Sequence, residues 1–327
     1  MIIIVSEETV YSGIFSSMFE ELIVSNKAVF INRYLDEKNV FRRKFLNFLY
    51  KDRLNSFLKG CFEPILHPKF SITEQLKKYS EEDLIVIFTN ASLQKMYSEK
   101  NLKSIKLHYP NVRFILLLVD SIFQPQAKRA VELSKKGVFD LIYTYNKDDA
   151  KKLECTYWPT PYSYIPDVVP KVVKKGVYFC GSDKGRAKQL DIIANKFNEL
   201  GVDYRFDIFG DYKEYQNFIV KSCELKDYKE VLRNTLKYST ILDICQESNG
   251  KNCGLSLRAY ESIVYGRVLI TNNKSIMDFE YYDPSYMHYI EKVDDIKLEW
   301  IKNEVKNEYS DTLSPKYLIE DIEKRLF

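Results

Sequence analysis

Histidine is scarce in this 327-residue chain: there are three, at 67, 108 and 288. Cysteine is sparse too, with six residues at 61, 155, 180, 223, 245 and 253, and no two of them stand in C-x-x-C spacing. Zinc sites draw on closely spaced Cys and His, so this pattern argues against one. Cys180 and Cys245 lie inside apolar runs, where a thiol behaves as a small hydrophobe. Unpaired cysteines of that kind suit a reducing, cytoplasmic setting. No apolar run approaches the ~20 residues that cross a bilayer; the longest, Phe114–Val119, has the length of a strand. The opening Met1–Val5 is short and runs straight into Glu7 and Glu8, unlike a secretory signal. A strong charge of either sign is missing as well. The net charge of +3 argues against a dedicated nucleic-acid binder. No tandem repeat and no low-complexity tract occurs.

What the chain does contain is an alternation. Short apolar runs, each closed by a polar residue, are separated by stretches of helical spacing. Such runs read as buried parallel strands, and the alternation as βαβ units. In the first half, strands are expected over 2–5, 28–31, 84–88, 112–119 and 141–145. Helices are expected near 13–25, 37–58, 71–79, 92–107 and 123–136. The strands end on Ser6, Asn32, Thr89, Asp120 and Asn146, and open α/β sheets place their ligands beyond such ends.

Between Trp158 and Pro170 stand four prolines. Proline suits neither a helix interior nor a central strand, so this stretch reads as a crossover between domains. A second series follows: strands over 177–180, 204–209, 240–245 and 268–271, with helices over 184–200, 212–221, 227–237 and 255–265. The fold expected is α/β, with two Rossmann-like domains facing a cleft. They cover 1–160 and 171–300, and a helical tail over 301–327 packs back on the first.

Three stretches carry candidate chemistry. The first is Gly254-Leu255-Ser256-Leu257-Arg258-Ala259-Tyr260-Glu261. A helix opened by glycine offers free N–H groups and the positive end of its dipole, which suits a phosphate. Arg258 and Glu261, three apart, share a face; the plainer alternative is a surface ion pair. The second is Gly181-Ser182-Asp183-Lys184-Gly185-Arg186, a strand end followed by a basic turn. Glycine lets the backbone approach an anion, and Lys184 and Arg186 supply charge. The third is Asp207-Ile208-Phe209-Gly210-Asp211, where Gly210 leaves room for a base or sugar. No Asp-x-Asp metal motif is convincing: Asp148 and Asp149 are adjacent, and Asp294 and Asp295 fall near the tail. Asp120 and Glu8, beyond first-domain strands, are the candidates for a general base, or else cap and solvated residues. Residues 40–59 interleave basic and aromatic side chains at helical spacing. That pattern fits an ordinary amphipathic helix, or one resting on an anionic membrane surface.

Glu261-Ser262, followed by Gly266-Arg267-Val268-Leu269-Ile270-Thr271, resembles the donor-site signature of the GT-B glycosyltransferases, and within them the bacterial capsule and lipopolysaccharide enzymes near the CgeB-like group. Gly181 with Arg186 and Lys188 resembles the basic turn of that fold. The likeness is carried by residues 176–283 and is architectural over 1–160. It implies that Glu261 holds the ribose of a nucleotide-diphospho-sugar. Arg186, Arg258 and the N–H groups near Gly254, Leu255 and Ser256 would neutralise the diphosphate without a bound metal or other cofactor. Two positions depart from the retaining members: Cys253 stands eight residues before Glu261, where they carry Glu, and Val119 replaces a His. The activity implied is transfer of the sugar to a hydroxyl of a surface polysaccharide or lipid-linked acceptor. A sugar-nucleotide epimerase and a non-catalytic binding subunit are the alternatives.

Overall fold

The computed structural model describes residues 1–7, 13–32, 72–79, 83–93, 97–183, 185–209, 227–245, 254–306 and 309–327. The expected helices over 37–58 and 212–221, the basic and aromatic stretch 40–59, and Glu8, Lys184 and Gly210 lie outside them. The chain divides into two compact units, one of residues 1–161 with 315–327, the other of 162–314.

Among the described residues the first unit has six parallel strands: β1 (Ile2–Ser6), β2 (Ala28–Asn32), β3 (Leu84–Thr89), β4 (Val112–Leu118), β5 (Leu141–Thr144) and β6 (Thr156–Tyr157). Their order is β2-β1-β3-β4-β5-β6. β1 and β3 are buried along their whole length, as central strands covered on both faces must be. On one face Ile3, Val5, Val86, Phe88, Phe114, Leu116 and Leu118 form a continuous core. Helices α1 (Ile14–Met18), α2 (Glu20–Val24), α3 (Ile72–Lys78), α4 (Glu99–His108), α5 (Lys128–Ser134) and α6 (Lys147–Leu153) complete the crossovers seen.

The helix expected over 13–25 is split at Phe19, a fully buried residue that leaves the helical region at φ −109°, ψ 17°. The helix expected from 92 starts only at Glu99, because Ser98 caps it by accepting from the Asn101 N–H at 3.1 Å. α6 and β6 were not expected. Asn146 caps α6, accepting from the N–H groups of Asp148 and Asp149.

The second unit holds β7 (Lys174–Ser182), α7 (Ala187–Glu199), β8 (Tyr204–Phe209), α8 (Tyr228–Leu236), β9 (Tyr238–Asp243), α9 (Leu257–Tyr265), β10 (Val268–Thr271), β11 (Met287–Tyr289) and α10 (Leu298–Lys302). Its parallel sheet runs β11-β10-β9-β7-β8. α7 is amphipathic in the ordinary way: Ala187, Leu190, Ile193, Ala194 and Phe197 are buried, at the spacing of one helical face. α9 differs. Seven consecutive residues, Ala259–Tyr265, are buried, so its polar residues are held inside. It ends where Gly266 turns left-handed at φ 58°, returning the Gly266 and Arg267 N–H groups to the Ser262 carbonyl. The three-residue edge strand β11, too short to show periodicity, was not expected. A final helix α11 (Pro315–Leu326) belongs to the first unit. There Tyr143 donates to Asp321 at 2.7 Å. Among the described residues no helix is long and apolar enough to cross a membrane.

Candidate functional site

In the second unit the carboxyl ends of β7 and β9 meet the start of α9. Gly181, near the end of β7, is crowded by cations. A Cβ placed on it would stand 2.8 Å from Nη2 of Arg258 and 3.2 Å from Nη2 of Arg186. Only the absence of a side chain lets two guanidiniums close over this strand end. Both also lie over the Phe179 ring, at 5.1 Å for Arg258 and 5.3 Å for Arg186. A ring face offers each cation an attractive quadrupole.

Each guanidinium is anchored. Arg186 sits at the cap of α7, where Asp183 accepts from the Ala187 N–H at 2.8 Å. It donates Nε to the Asp183 carbonyl at 3.3 Å, Nη1 to Ile244 at 2.6 Å and Nη2 to the Ser182 carbonyl. Arg258 donates Nη1 to Asp243 Oδ1 at 3.1 Å and Nη2 to the Cys180 carbonyl. A guanidinium carries five N–H groups. With three spent on Arg186 and two on Arg258, each keeps N–H groups with no partner among the described residues.

The electrostatics follow. Burial, then the charge of Arg258, holds the Arg186 pKa below the usual arginine value. Burial also works against the Arg258 cation, but the Asp243 and Glu261 carboxylates outweigh it and hold its pKa above that value. Among the described residues the carboxylate ion-paired with this couple of cations is Asp243, through Arg258.

Sequence reasoning missed Asp243, because the strand was expected to run on to Cys245. In the structure β9 stops at Asp243. That buried carboxylate also accepts from Thr271 Oγ1 at 3.1 Å. A carboxylate closing an apolar strand was the signal available. Burial pushes the Cys180 thiol up to about 11 and raises that of Cys245 as well, which favours the neutral thiol at both.

α9 starts later than expected. Gly254 adopts φ 73°, which right-handed helix excludes, so it lies two residues before the Ser256 cap. Asn273 holds the turn by donating Nδ2 to the Gly254 carbonyl at 2.7 Å. Ser256 makes no capping bond with its side chain. Its Oγ is buried and has no partner among the described residues. The first N–H groups of the helix and this hydroxyl thus face the same end.

Arg258 and Glu261 do not form the surface ion pair that was the plain alternative. Arg258 pairs with Asp243, and Glu261, 5% exposed, accepts from Tyr228 Oη at 2.7 Å. Burial raises the Glu261 pKa, opposed by the Tyr228 hydrogen bond and by Arg258. Lys188 is exposed on α7 and Leu255 half-buried.

In the first unit Asp120 follows β4, partly exposed. Asn90, fully buried in the turn after β3, donates Nδ2 to Asp120 Oδ2 at 2.8 Å and accepts the Val119 N–H at 2.8 Å. One buried amide therefore fixes the direction of the carboxylate. Among the described residues no group of His, Cys, Asp and Glu could hold a metal ion.

No protein-family model and no curated protein sequence matches the chain. Solved structures do. An α-glucosyltransferase in complex with UDP and a 13-mer DNA aligns at a TM-score of 0.60 and 13% identity, covering 100% of this chain and 99% of that one. The catalytic domain of starch synthase IV from Arabidopsis thaliana, bound to ADP and acarbose, aligns at 0.54 and 8% identity, covering 99% and 98%. The fold is GT-B. A protein described as a UDP-N-acetylglucosamine 2-epimerase from Listeria monocytogenes aligns at 0.53 and 9% identity, covering 99% and 95%. At these identities the likeness is one of fold, and GT-B scaffolds carry more than one chemistry.

Proposed function

We propose that this GT-B chain is a glycosyltransferase that takes a sugar from a nucleotide-diphospho-sugar and passes it to a hydroxyl of a surface polysaccharide or lipid-linked acceptor. The observation that carries the proposal is the pair of anchored guanidiniums over Gly181, beside a helix start with an unpartnered serine hydroxyl. Spare N–H groups of Arg186 and Arg258, the first amides of α9 and Ser256 Oγ bind the diphosphate. They need no metal, since fixed cations and a helix end take up the charge that develops as the nucleoside diphosphate leaves. Glu261 holds a ribose hydroxyl. Asp120, oriented by Asn90, takes the proton of the acceptor hydroxyl as its oxygen forms the bond to the anomeric carbon and the bond to the diphosphate breaks. Lys184, Gly210 and, as a second candidate base, Glu8 remain part of the proposal. The neighbours solved with UDP and with ADP are consistent with such a donor.

Calorimetric titration with UDP, ADP, GDP and CDP tests the site. At least one binds the wild type, and Arg258→Ala weakens it roughly 10- to 100-fold, the worth of a charged hydrogen-bond set. No binding by any nucleotide sinks the proposal. Sugar transfer to an acceptor glycan then persists in a metal chelator; conversion of the free sugar nucleotide to its epimer instead would favour the epimerase.

A further inference from the structure

Glu261 ends a row of three buried side chains. Tyr228 Oη lies 2.7 Å from Glu261 Oε1 and 2.5 Å from Tyr162 Oη. The exposures are 1% for Tyr162, 6% for Tyr228 and 5% for Glu261. A phenol has one proton to give. Tyr228 gives its proton to the carboxylate, so the short contact between the phenols is Tyr162 donating to Tyr228. The row runs one way, from Tyr162 through Tyr228 to Glu261.

The three residues come from distant parts of the chain: Tyr162 lies in the proline-rich crossover, Tyr228 opens α8, and Glu261 lies in α9. The other carboxylate oxygen, Oε2, has no hydrogen-bond partner among the described residues. A buried carboxylate satisfied on one side only has capacity for a further donor, and a chain of buried hydrogen bonds holds its members rigidly. We propose that Tyr228, braced by Tyr162, is the positioning residue that turns the free oxygen of Glu261 toward a ribose hydroxyl, so that this pair of tyrosines sets the preference for ribose over deoxyribose. The proposal rests on the donor site argued above.

The groups facing Glu261 are Arg258 and Tyr265 from its own helix, Asp243 from β9, Cys180 from β7, and the two tyrosines. Burial and Asp243 favour the protonated acid, while the Tyr228 hydroxyl and Arg258 favour the carboxylate. Taking the Tyr228 hydroxyl away therefore moves the acid's titration upward.

The test takes the best-bound nucleoside diphosphate, its 2′-deoxy counterpart and inorganic pyrophosphate. Each is titrated by calorimetry from about pH 5 to about pH 8 on wild type, Tyr228→Phe, Tyr162→Phe and Glu261→Gln. The wild type prefers the ribonucleotide. Tyr228→Phe cuts that preference about 3- to 10-fold, shifts the acid limb of ribonucleotide binding to higher pH, and leaves pyrophosphate affinity as it was. Tyr162→Phe moves both readouts the same way by less, and it carries the test if circular dichroism shows Tyr228→Phe unfolded. Tyrosine variants with the wild-type preference and the wild-type acid limb, beside a Glu261→Gln that has lost the preference, overturn the positioning role and leave the donor site standing. A wild type that binds no nucleotide overturns the donor site and this role together, whereas one that binds both sugars equally overturns the ribose role of Glu261 and its tyrosines and leaves diphosphate binding standing.

Discussion

At the scale of single residues, the second unit spends buried charge to keep two arginines in one place. Asp243 is 3% exposed in its side chain and Arg258 22%. Desolvating such a pair costs most of what its attraction returns. Such a pair adds little to stability, and in the proposed site it holds the Arg258 cation in place. Gly181 is the complement of that pair. Placing even a methyl group there forces the Arg258 tip, at 2.8 Å, out of its seat on the Cys180 carbonyl. Gly181→Ala is expected to weaken nucleoside diphosphate binding roughly tenfold while lowering stability by about 1 kcal/mol. Titration beside urea unfolding checks this. Unaltered affinity would show that the guanidinium retreats freely and that Gly181 is not needed for the anion site.

At the scale of elements, the edge strand β11 is joined to α10 by a titratable contact. His288 is 8% exposed and stacks on Trp300 with ring centroids 4.2 Å apart and planes at 11°. Its Nε2 is buried without a partner among the described residues. Burial, helped by the nearby Lys297 charge, pushes its pKa down to about 4, from an ordinary 6.5. A histidine neutral when folded and protonated when unfolded costs stability in acid. Stability is unaffected above about pH 6.5, falls as the pH drops, and the loss is complete near pH 4. The second unit is expected to be about 2 kcal/mol less stable at pH 5 than at pH 7 through this group. Urea unfolding at the two pH values measures it. His288→Phe, which keeps the stack, should flatten the dependence. An equal slope in the variant would assign it to other groups.

At the scale of the whole molecule, a donor that binds only the folded chain must stabilise it. At about 100 times its Kd the gain is about 2.7 kcal/mol, which for a unit of this size raises Tm by roughly 5–10 °C. Thermal unfolding with and without the best nucleotide reads this directly. Arg258→Ala should show little of the rise at the same concentration. A full-sized rise in that variant would place the nucleotide elsewhere. Both units are parallel sheets with helical crossovers, and such topologies put ligands beyond the carboxyl ends of the strands. Gly181, Asp243 and Asp120 all stand at such ends.

The sequence by itself determined the alternation of strand and helix, because buried parallel strands must be apolar throughout and amphipathic helices must repeat every three to four residues. That is local chemistry and was legible in Ile2–Ser6, Tyr204–Phe209 and Val268–Thr271. Its resemblance to the GT-B donor-site signature drew Gly181, Arg186, Arg258 and Glu261 into one proposed group. Short pieces escaped: β6, β11 and α6 span too few residues to show a period. Which residue each of those side chains would touch was beyond spacing alone. The partner of Arg258 is Asp243, fifteen residues away, and that of Glu261 is Tyr228, thirty-three away. Only the tertiary structure decided them, because parallel crossovers bring distant strand and helix ends together, and hydrogen bonding between buried groups depends on that closeness and not on separation along the chain.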